Sequence, residues 1–282
     1  GTLNLSTYSL GPDFNRFSQN GSSTSVAETM GVIAGAGIWR STYKGEDELD
    51  PNYCLGFEAK EVDGKITAEV RLNPKAVFND GTPIDIDALK ATWQIQRDPD
   101  GEYKIAAAGI YEYIESVEAI DGDRYHARVV FKTAHNPVKG LLFAGILHPA
   151  MLDVNLFNEG FVDNPHPEFG CGPFTLAPNG WNSSEKTFTA VPNDKWWGEK
   201  PLLDRIIWRE MGDEAARAAF KNGELDSIGF AGLATYNAVK GQPGVQIRSG
   251  QSVGVINLQF NPTRVTDTAL RRAVFAAVDR SQ

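Results

Sequence analysis

Polar and apolar positions first alternate over residues 2–7, where Leu3 and Leu5 stand between polar neighbours as in a half-buried strand. A polar loop, PDFNRFSQNGSSTS, separates it from a helical pattern over residues 26–39. At residues 57–72, FEAKEVDGKITAEVRL, the period drops to two. Ile66, Ala68, Val70 and Leu72 alternate with Lys65, Thr67, Glu69 and Arg71, and Asp63-Gly64 supplies a positive-φ turn, so a hairpin with one apolar face is predicted. Residues 117–131, VEAIDGDRYHARVVF, repeat this pattern around Asp121-Gly122. Between the two hairpins Asp85 is placed to cap a helix reaching Gln96, with Leu89 and Trp93 on one face.

A second helical stretch is predicted over residues 141–161, leading into NPHPEFGCGP, whose prolines and glycines mark a connection. Strands follow at 173–177, 186–192 and 205–209, with a WWG turn before the last. The segment DEAARAAFKNG reads as a helix with Asp213 as N-cap and Gly223 just past its end. Leu225, Ile228 and Phe230 resume a strand, and a short helix over 233–240 and a strand over 253–260 come next. In the closing NPTRVTDTALRRAVFAAVDRSQ, Thr266 or Asp267 can cap a helix whose apolar face is Leu270, Val274, Ala277 and Val278. No Gly, Asn or Pro stop follows, so the helix reads as unfinished and the chain as a fragment.

With 282 residues, 41% of them hydrophobic, the chain can bury a sizeable core in one large domain or two ordinary ones. Its net charge of -9, with no Lys/Arg run to offset 36 acids, argues against a nucleic-acid or anionic-membrane surface. The longest apolar run, 30–39, is interrupted by Gly31, Gly35 and Gly37 and is too short to span a bilayer. Residue 1 opens directly into a strand pattern, so any signal peptide is expected to have been removed already. Cys54 and Cys171 lack C-x-x-C spacing and stand either as one disulfide of a secreted protein or as two buried thiols.

Few residues suggest chemistry. GQSVG at 250–254 matches a hydrolase nucleophile elbow and nominates Ser252. However, VINLQFN after it is strand-like where an elbow needs a helix, and His126, His135, His148 and His166 all precede it. No two of these histidines have metal-site spacing, and no phosphate loop or dinucleotide fingerprint occurs. The acids Asp85/Asp87 and Glu46/Asp47/Glu48 read as a helix start and a solvated loop. Tyr103, Tyr111, Tyr113, Trp181, Trp196 and Trp197 offer ring faces to apolar side chains, sugars or peptides, although most read as packing. These patterns assign no catalytic residue, metal or cofactor. A secreted serine hydrolase using Ser252 and an extracellular structural domain without a small ligand stand as alternatives to a binding protein.

Four segments in order carry a family resemblance: FNDGTPIDIDALKATW at 78–93, FGCGPFTL at 169–176, VPNDKWWGEKPLLDRIIWRE at 191–210 with FKNGELDS at 220–227, and LQFNPTRVTDTALRRAVFAAVDR at 258–280. Together they resemble the oligopeptide- and dipeptide-binding proteins of ABC importers, extracellular solute-binding protein family 5. Departures from the family pattern are Cys171 for Thr, Phe174 and Trp196 for Tyr, and Ala88 for an acid. They fall at positions that read as structural and suggest a divergent branch. The resemblance implies an α/β fold, a type II periplasmic-binding-protein lobe with a mixed sheet flanked by helices and an inserted α+β subdomain. Residues 1–44 and 169–260 would form lobe I, 45–168 the subdomain, and 261–282 the first helix of a second lobe that is otherwise absent, since full members are much longer.

It further implies a protein that needs no cofactor, captures a small solute between its lobes and passes it to a membrane permease. An oligopeptide is the expected solute, with a sugar or metal chelate possible, and the expected location is extracellular, periplasmic or lipid-anchored at the cell surface. By resemblance, Asn20, Gly21 and Ser22 approach the ligand, and Tyr103 reaches the mouth of the cleft.

Overall fold

The computed structural model describes residues 1–35, 37–134, 138–229, 233–248 and 258–278. Two compact units divide the chain, Gly1–Thr235 and Tyr236–Gln282. The strands are β1 (Thr2–Thr7), β2 (Trp39–Ser41), β3 (Asp47–Leu49), β4 (Cys54–Val62), β5 (Lys65–Leu72), β6 (Ile114–Ile120), β7 (Asp123–Phe131), β8 (Phe174–Asn182), β9 (Thr187–Pro192) and β10 (Arg205–Glu210). The helices are α1 (Thr24–Ala34), α2 (Ile86–Gln96), α3 (Val154–Glu159), α4 (Asp213–Lys221), α5 (Leu233–Val239) and α6 (Thr268–Ala277).

The first unit holds two four-stranded sheets. One has the order β1-β10-β9-β8, with β1 parallel to β10 in the register Thr2↔Arg205 to Thr7↔Glu210 and the other pairs antiparallel. Its core joins Val26, Met30 and Ile33 of α1 to Phe174, Phe188, Ile206 and Trp208 of the strands, together with Phe14 and Phe157. The other sheet has the order β4-β5-β7-β6. The two predicted hairpins thus become one sheet, because β5 also pairs with β7, Ala68 opposite Val129 and Val70 opposite Ala127. Both hairpin turns adopt the predicted conformation, with φ of 51° and 75° at Asp63-Gly64 and 52° and 76° at Asp121-Gly122. Ala88 and Leu89 of α2 pack in the core of this sheet with Leu72, Val117 and Phe131.

The structure departs from the sequence reading in four places. First, α1 stops at Ala34 instead of running to Trp39, because Gly35 takes φ +75° and a Cβ there would stand 2.5 Å from the Tyr53 hydroxyl. Second, the helix predicted over 141–161 reduces to a 3₁₀ turn at Pro149–Leu152 and the short α3. Phe143 has φ 54°, and His148 is extended ahead of Pro149, which no continuous helix accommodates. Third, Asp213 is the first residue of α4 and its N-cap is Gly212. Fourth, residues 225–228 run beside β1 without forming a strand. The Asp226 N–H donates to the Asn4 carbonyl at 2.9 Å, but the Asn4 N–H goes to the Asp226 carboxylate at 2.7 Å, where a ladder would use a backbone carbonyl. Of the predicted strand over 253–260, residues 253–257 lie outside the described residues and 258–260 are irregular. Cys54 and Cys171 are buried free thiols.

The turn FNDGT is locked onto the loop FGCGP. The Asn79 N–H donates to the Gly170 carbonyl at 2.8 Å and the Asp80 N–H to that of Glu168 at 3.1 Å, while Asn193 Nδ2 bridges Asn79 Oδ1 and the Gly172 carbonyl, both at 2.8 Å. His148 closes the joint. Its Nδ1 accepts from the Ala150 N–H at 3.0 Å, so the proton on Nε2 is donated to Asp80 Oδ2 at 3.1 Å. Its ring stacks on Phe169 at 4.5 Å. In the second unit Asp267 caps α6 by accepting from the Ala269 N–H at 2.7 Å, and no residue of that helix is buried.

Two predictions follow from these contacts. Asp85 is 1% exposed, accepts from the Asp87 N–H at 2.9 Å as the cap of α2 and receives Nε and Nη2 of Arg124. Replacing it by Ala removes the cap and should lower the unfolding free energy by about 1–3 kcal/mol, and Asn, which can still cap, by less. Urea titration of the variants measures this. The second concerns pH. Burial pushes the His148 pKa below the ordinary 6.5 despite the attraction of Asp80. Burial also opposes ionisation of Asp80, but hydrogen bonds from Thr82 and His148 outweigh it and hold the carboxyl below 3.8. For both groups the folded pKa is depressed, so their stabilisation is complete above the unfolded values and falls away as pH drops below 6.5 for His148 and below 3.8 for Asp80. Unfolding midpoints should therefore fall between pH 7.5 and 5.5, and His148→Gln should flatten that step; a step of unchanged size in the variant would contradict the assignment.

Candidate ligand-binding site

Parallel strands leave their carboxyl ends at one edge of a sheet, where open α/β folds bind ligands. Here β1 ends at Thr7 and β10 at Glu210, and the chain turns from each toward a helix, α1 and α4. A concavity of about 350 Å³ lies at this edge, lined by Thr7, Tyr8, Ser25, Glu28, Asp213 and Arg217 among others. The edge is braced by Glu210, whose Oε2 accepts from the Leu10 N–H at 2.6 Å. Tyr8 is 72% exposed, and its phenol is hydrogen-bonded to Asp213, which with the aspartate charge raises its pKa. Glu28 accepts from Trp208 Nε1 at 3.3 Å, and Arg217 donates to Thr235 Oγ1 at 3.2 Å. The concavity therefore offers two carboxylates, a guanidinium and an exposed aromatic ring, equipment for orienting a polar solute.

The loop after β1 is rigidly built. Asp13 accepts from the Asn15 N–H at 2.8 Å and the Ser18 hydroxyl at 3.2 Å, and Asn15 Nδ2 reaches the Phe157 carbonyl at 2.7 Å. Gly21 donates to Ser18 Oγ at 3.0 Å and is buried so closely that a Cβ would stand 2.2 Å from the Asn15 carbonyl oxygen. Asn20 and Ser22 on either side are exposed. Ser23 Oγ then caps α1 through the Val26 N–H at 3.1 Å. Two backbone bonds, the Gln19 N–H to the Lys104 carbonyl at 2.9 Å and the Ala106 N–H to that of Phe17 at 2.8 Å, tie this loop to the segment holding Tyr103. Asn20, Gly21, Ser22 and Tyr103 thus belong to two strapped-together loops. The Tyr103 hydroxyl donates to the Leu152 carbonyl at 2.8 Å and its ring lies edge-on to Phe157 at 5.5 Å, which leaves it half-buried.

The other sequence candidates disperse. Ser252 and His135 lie outside the described residues. Cys171 is enclosed, with Sγ 3.0 Å from the Ala34 carbonyl oxygen, and burial pushes its thiol up to about 12. His166 Nδ1 lies 2.6 Å from Glu168 Oε1 and its Nε2 lies 2.9 Å from the Gly160 carbonyl oxygen. Trp196 and Trp197 pack around the Tyr53 ring, and Tyr111 is buried. Among the described residues no group of three or more His, Cys, Asp or Glu side chains is placed to hold a metal ion, and no helix is long and apolar enough to cross a membrane. Tyr8, Glu28, Asp213 and Arg217 were missed in the sequence because each is an ordinary polar residue beside a strand end. The available signal was that residues 2–7 and 205–209 both pass from strand to helix.

A family model described as "Bacterial extracellular solute-binding proteins, family 5 Middle" matches residues 53–282. The oligopeptide-binding protein OppA of Mycobacterium tuberculosis (strain ATCC 25618 / H37Rv) is 27% identical over 99% of this chain and 47% of that protein. The nickel-binding periplasmic protein of Escherichia coli (strain K12) is 24% identical over 84% of this chain and 45% of that protein. Among solved structures, the periplasmic EDTA-binding protein EppA superposes with a TM-score of 0.69 at 23% identity, covering 80% of this chain and 42% of that one. The oligopeptide-binding protein AppA of Bacillus subtilis, in complex with a nonapeptide, gives 0.64 at 21% identity, covering 85% and 46%. These superpositions show the fold, a type II periplasmic-binding-protein lobe of mixed sheet and flanking helices. The chain spans about half the length of these relatives. The match across residues 53–282 places it by descent: the chain belongs to the bacterial extracellular solute-binding proteins of family 5.

Proposed function

We propose that the whole protein is the solute-binding component of an ABC importer and that this chain supplies most of its first lobe. Residues 1–44 and 169–260 form the lobe, 45–168 its subdomain, and α6 begins the second lobe. The observation that carries this reading is the polar concavity at the carboxyl edge of β1 and β10 in a chain of this family. The exposure of α6 supports it, since Leu270 on the apolar face is 52% exposed and Val278, just past the helix end, 47% exposed, as in a helix that needs a partner.

Binding on this reading involves no covalent chemistry. Solute contacts one lobe, the lobes close about it, and the permease recognises the closed form. The concavity, with Asn20, Gly21 and Ser22 in the loop after β1, contributes one wall, and Tyr103 stands at its margin. Exposed polar groups at Asn20 and Ser22 suit such a wall, and the close fit of Gly21 fixes their backbone. The solute is an oligopeptide, whose regular backbone polar groups suit a wall of side-chain and backbone donors and acceptors. The working location is the outer face of the bacterial membrane, in the periplasm or at the cell surface on a lipid anchor.

Calorimetric titration of the full-length protein against peptides, oligosaccharides and nickel chelates tests this. Saturable heat with peptides is expected; heat only with another class would overturn the choice of solute, and none with any class would overturn the assignment as a solute binder. Residues 1–282 alone should bind the same peptide far more weakly, because half of the desolvated contacts are missing, and equally tight binding would contradict the two-lobe cleft.

A further inference from the structure

The Arg16 guanidinium has no carboxylate beside it among the described residues. Arg16 lies in the loop after β1 and lines a pocket of about 40 Å³ walled by Phe14, Phe17, Met30, Phe161, Phe169 and His148. Its Nη2 donates to the Gly35 carbonyl at 3.1 Å, and its Nε is buried with no hydrogen-bond partner among the described residues. The guanidinium packs over the Phe17 ring at 4.8 Å, and Gly145 leaves room for that pair, since a Cβ there would stand 2.5 Å from Phe17 Cζ.

A guanidinium does not lose its proton in a protein, so it cannot escape burial as a buried lysine can. A buried charge without a counter-charge is strongly unfavourable unless something else completes it. The acids near this pocket are already engaged: Asp80 receives His148 at 3.1 Å, and Glu168 lies 2.6 Å from His166. Burial pushes the Arg16 pKa down, and the ionisable groups that offset this are the Cys171 thiol and the Tyr53 phenol. Burial raises the thiol to about 12, so it is not an anion at neutral pH. Among the described residues no carboxylate forms an ion pair with Arg16, while both pocket histidines have one.

We propose that the Arg16 pocket is a carboxylate-binding site, in which Nε and its neighbouring N–H groups hold the two oxygens of one carboxylate against the aromatic wall. The bound group must be planar and small. The pocket exceeds the roughly 10–15 Å³ that one water needs, and the fork of a guanidinium matches two carboxylate oxygens side by side. The carboxylate belongs either to the transported solute or to a small free acid, and only the first of these sources rests on the function proposed above.

The test uses full-length protein and ¹³C-labelled sodium formate, observed by NMR against sodium chloride at equal ionic strength. Formate should bind saturably to the wild type. Arg16→Met, which keeps the side chain's length without its charge, should weaken that binding at least tenfold, and Arg16→Lys, which keeps the charge and loses the fork, by a smaller factor. Non-saturable formate binding by the wild type, or binding retained in Arg16→Met, would overturn the proposal. If Arg16→Met does not fold, Arg16→Lys decides: several-fold weakening supports the site and unchanged binding overturns it. Formate displaced by a peptide with a free carboxylate but not by its amide would identify the solute as the source; formate undisturbed by both would identify a small free acid, leaving the site intact even if solute binding itself fails.

Discussion

The parallel pairing of β1 with β10 is the constraint on which the first unit depends. Thr2 faces Arg205 and Thr7 faces Glu210, so the whole chain between them must be accommodated as one excursion from the sheet. A parallel pair cannot be closed by a tight turn and requires a crossover. Here α1 begins that crossover and the β4-β5-β7-β6 sheet extends it. The same pairing brings the ends of β1 and β10 to one edge, with a helix start beside each, and so generates the concavity at Tyr8, Glu28, Asp213 and Arg217. Without it those residues have no reason to meet.

The segments that carry the family resemblance tie the chain after β5 to the chain before β8 and after β9. FNDGT, FGCGP and the start of NDKWW converge through Asn79, Gly170, Gly172 and Asn193, each bond between backbone or amide groups. Trp197 adds an Nε1–H donated to the Asn52 carbonyl at 2.7 Å, and the Tyr53 hydroxyl donates to the Cys171 carbonyl at 2.8 Å. Such motifs specify geometry and say nothing about the solute. Specificity on our reading resides in the loop after β1 and the strand ends, where a side chain can change without disturbing the joints.

The legible parts of the fold are those written by local physics. Both Asp-Gly turns, the alternation in β5 and β7 and the Asp85 cap were visible because each depends on residues within a few positions. The two hairpins could not be seen to share a sheet, because the β5–β7 pairing is long-range. The helix expected through Trp39 stops at Gly35, where Tyr53 and Cys171, from distant parts of the chain, leave no room for a Cβ. Likewise Arg16 stands in a segment that the sequence shows only as a polar loop. The enclosure of its Nε comes from α1, the 161–170 loop and residues 146–148 packing around it, and no periodicity encodes that. Asn20, Gly21 and Ser22 were reached through resemblance, and the structure adds the close packing at Gly21 and the tie to the Tyr103 segment.

The central claim is that the carboxyl edge of β1 and β10 forms one wall of a closing cleft. Hydrogen exchange on the full-length protein, with and without a saturating peptide found by titration, tests it most directly. Slowed exchange is expected at residues 8–25 and 211–217, with no change in β4–β7. Protection confined to β4–β7, or unchanged exchange at the β1 and β10 edge under saturation, would contradict it.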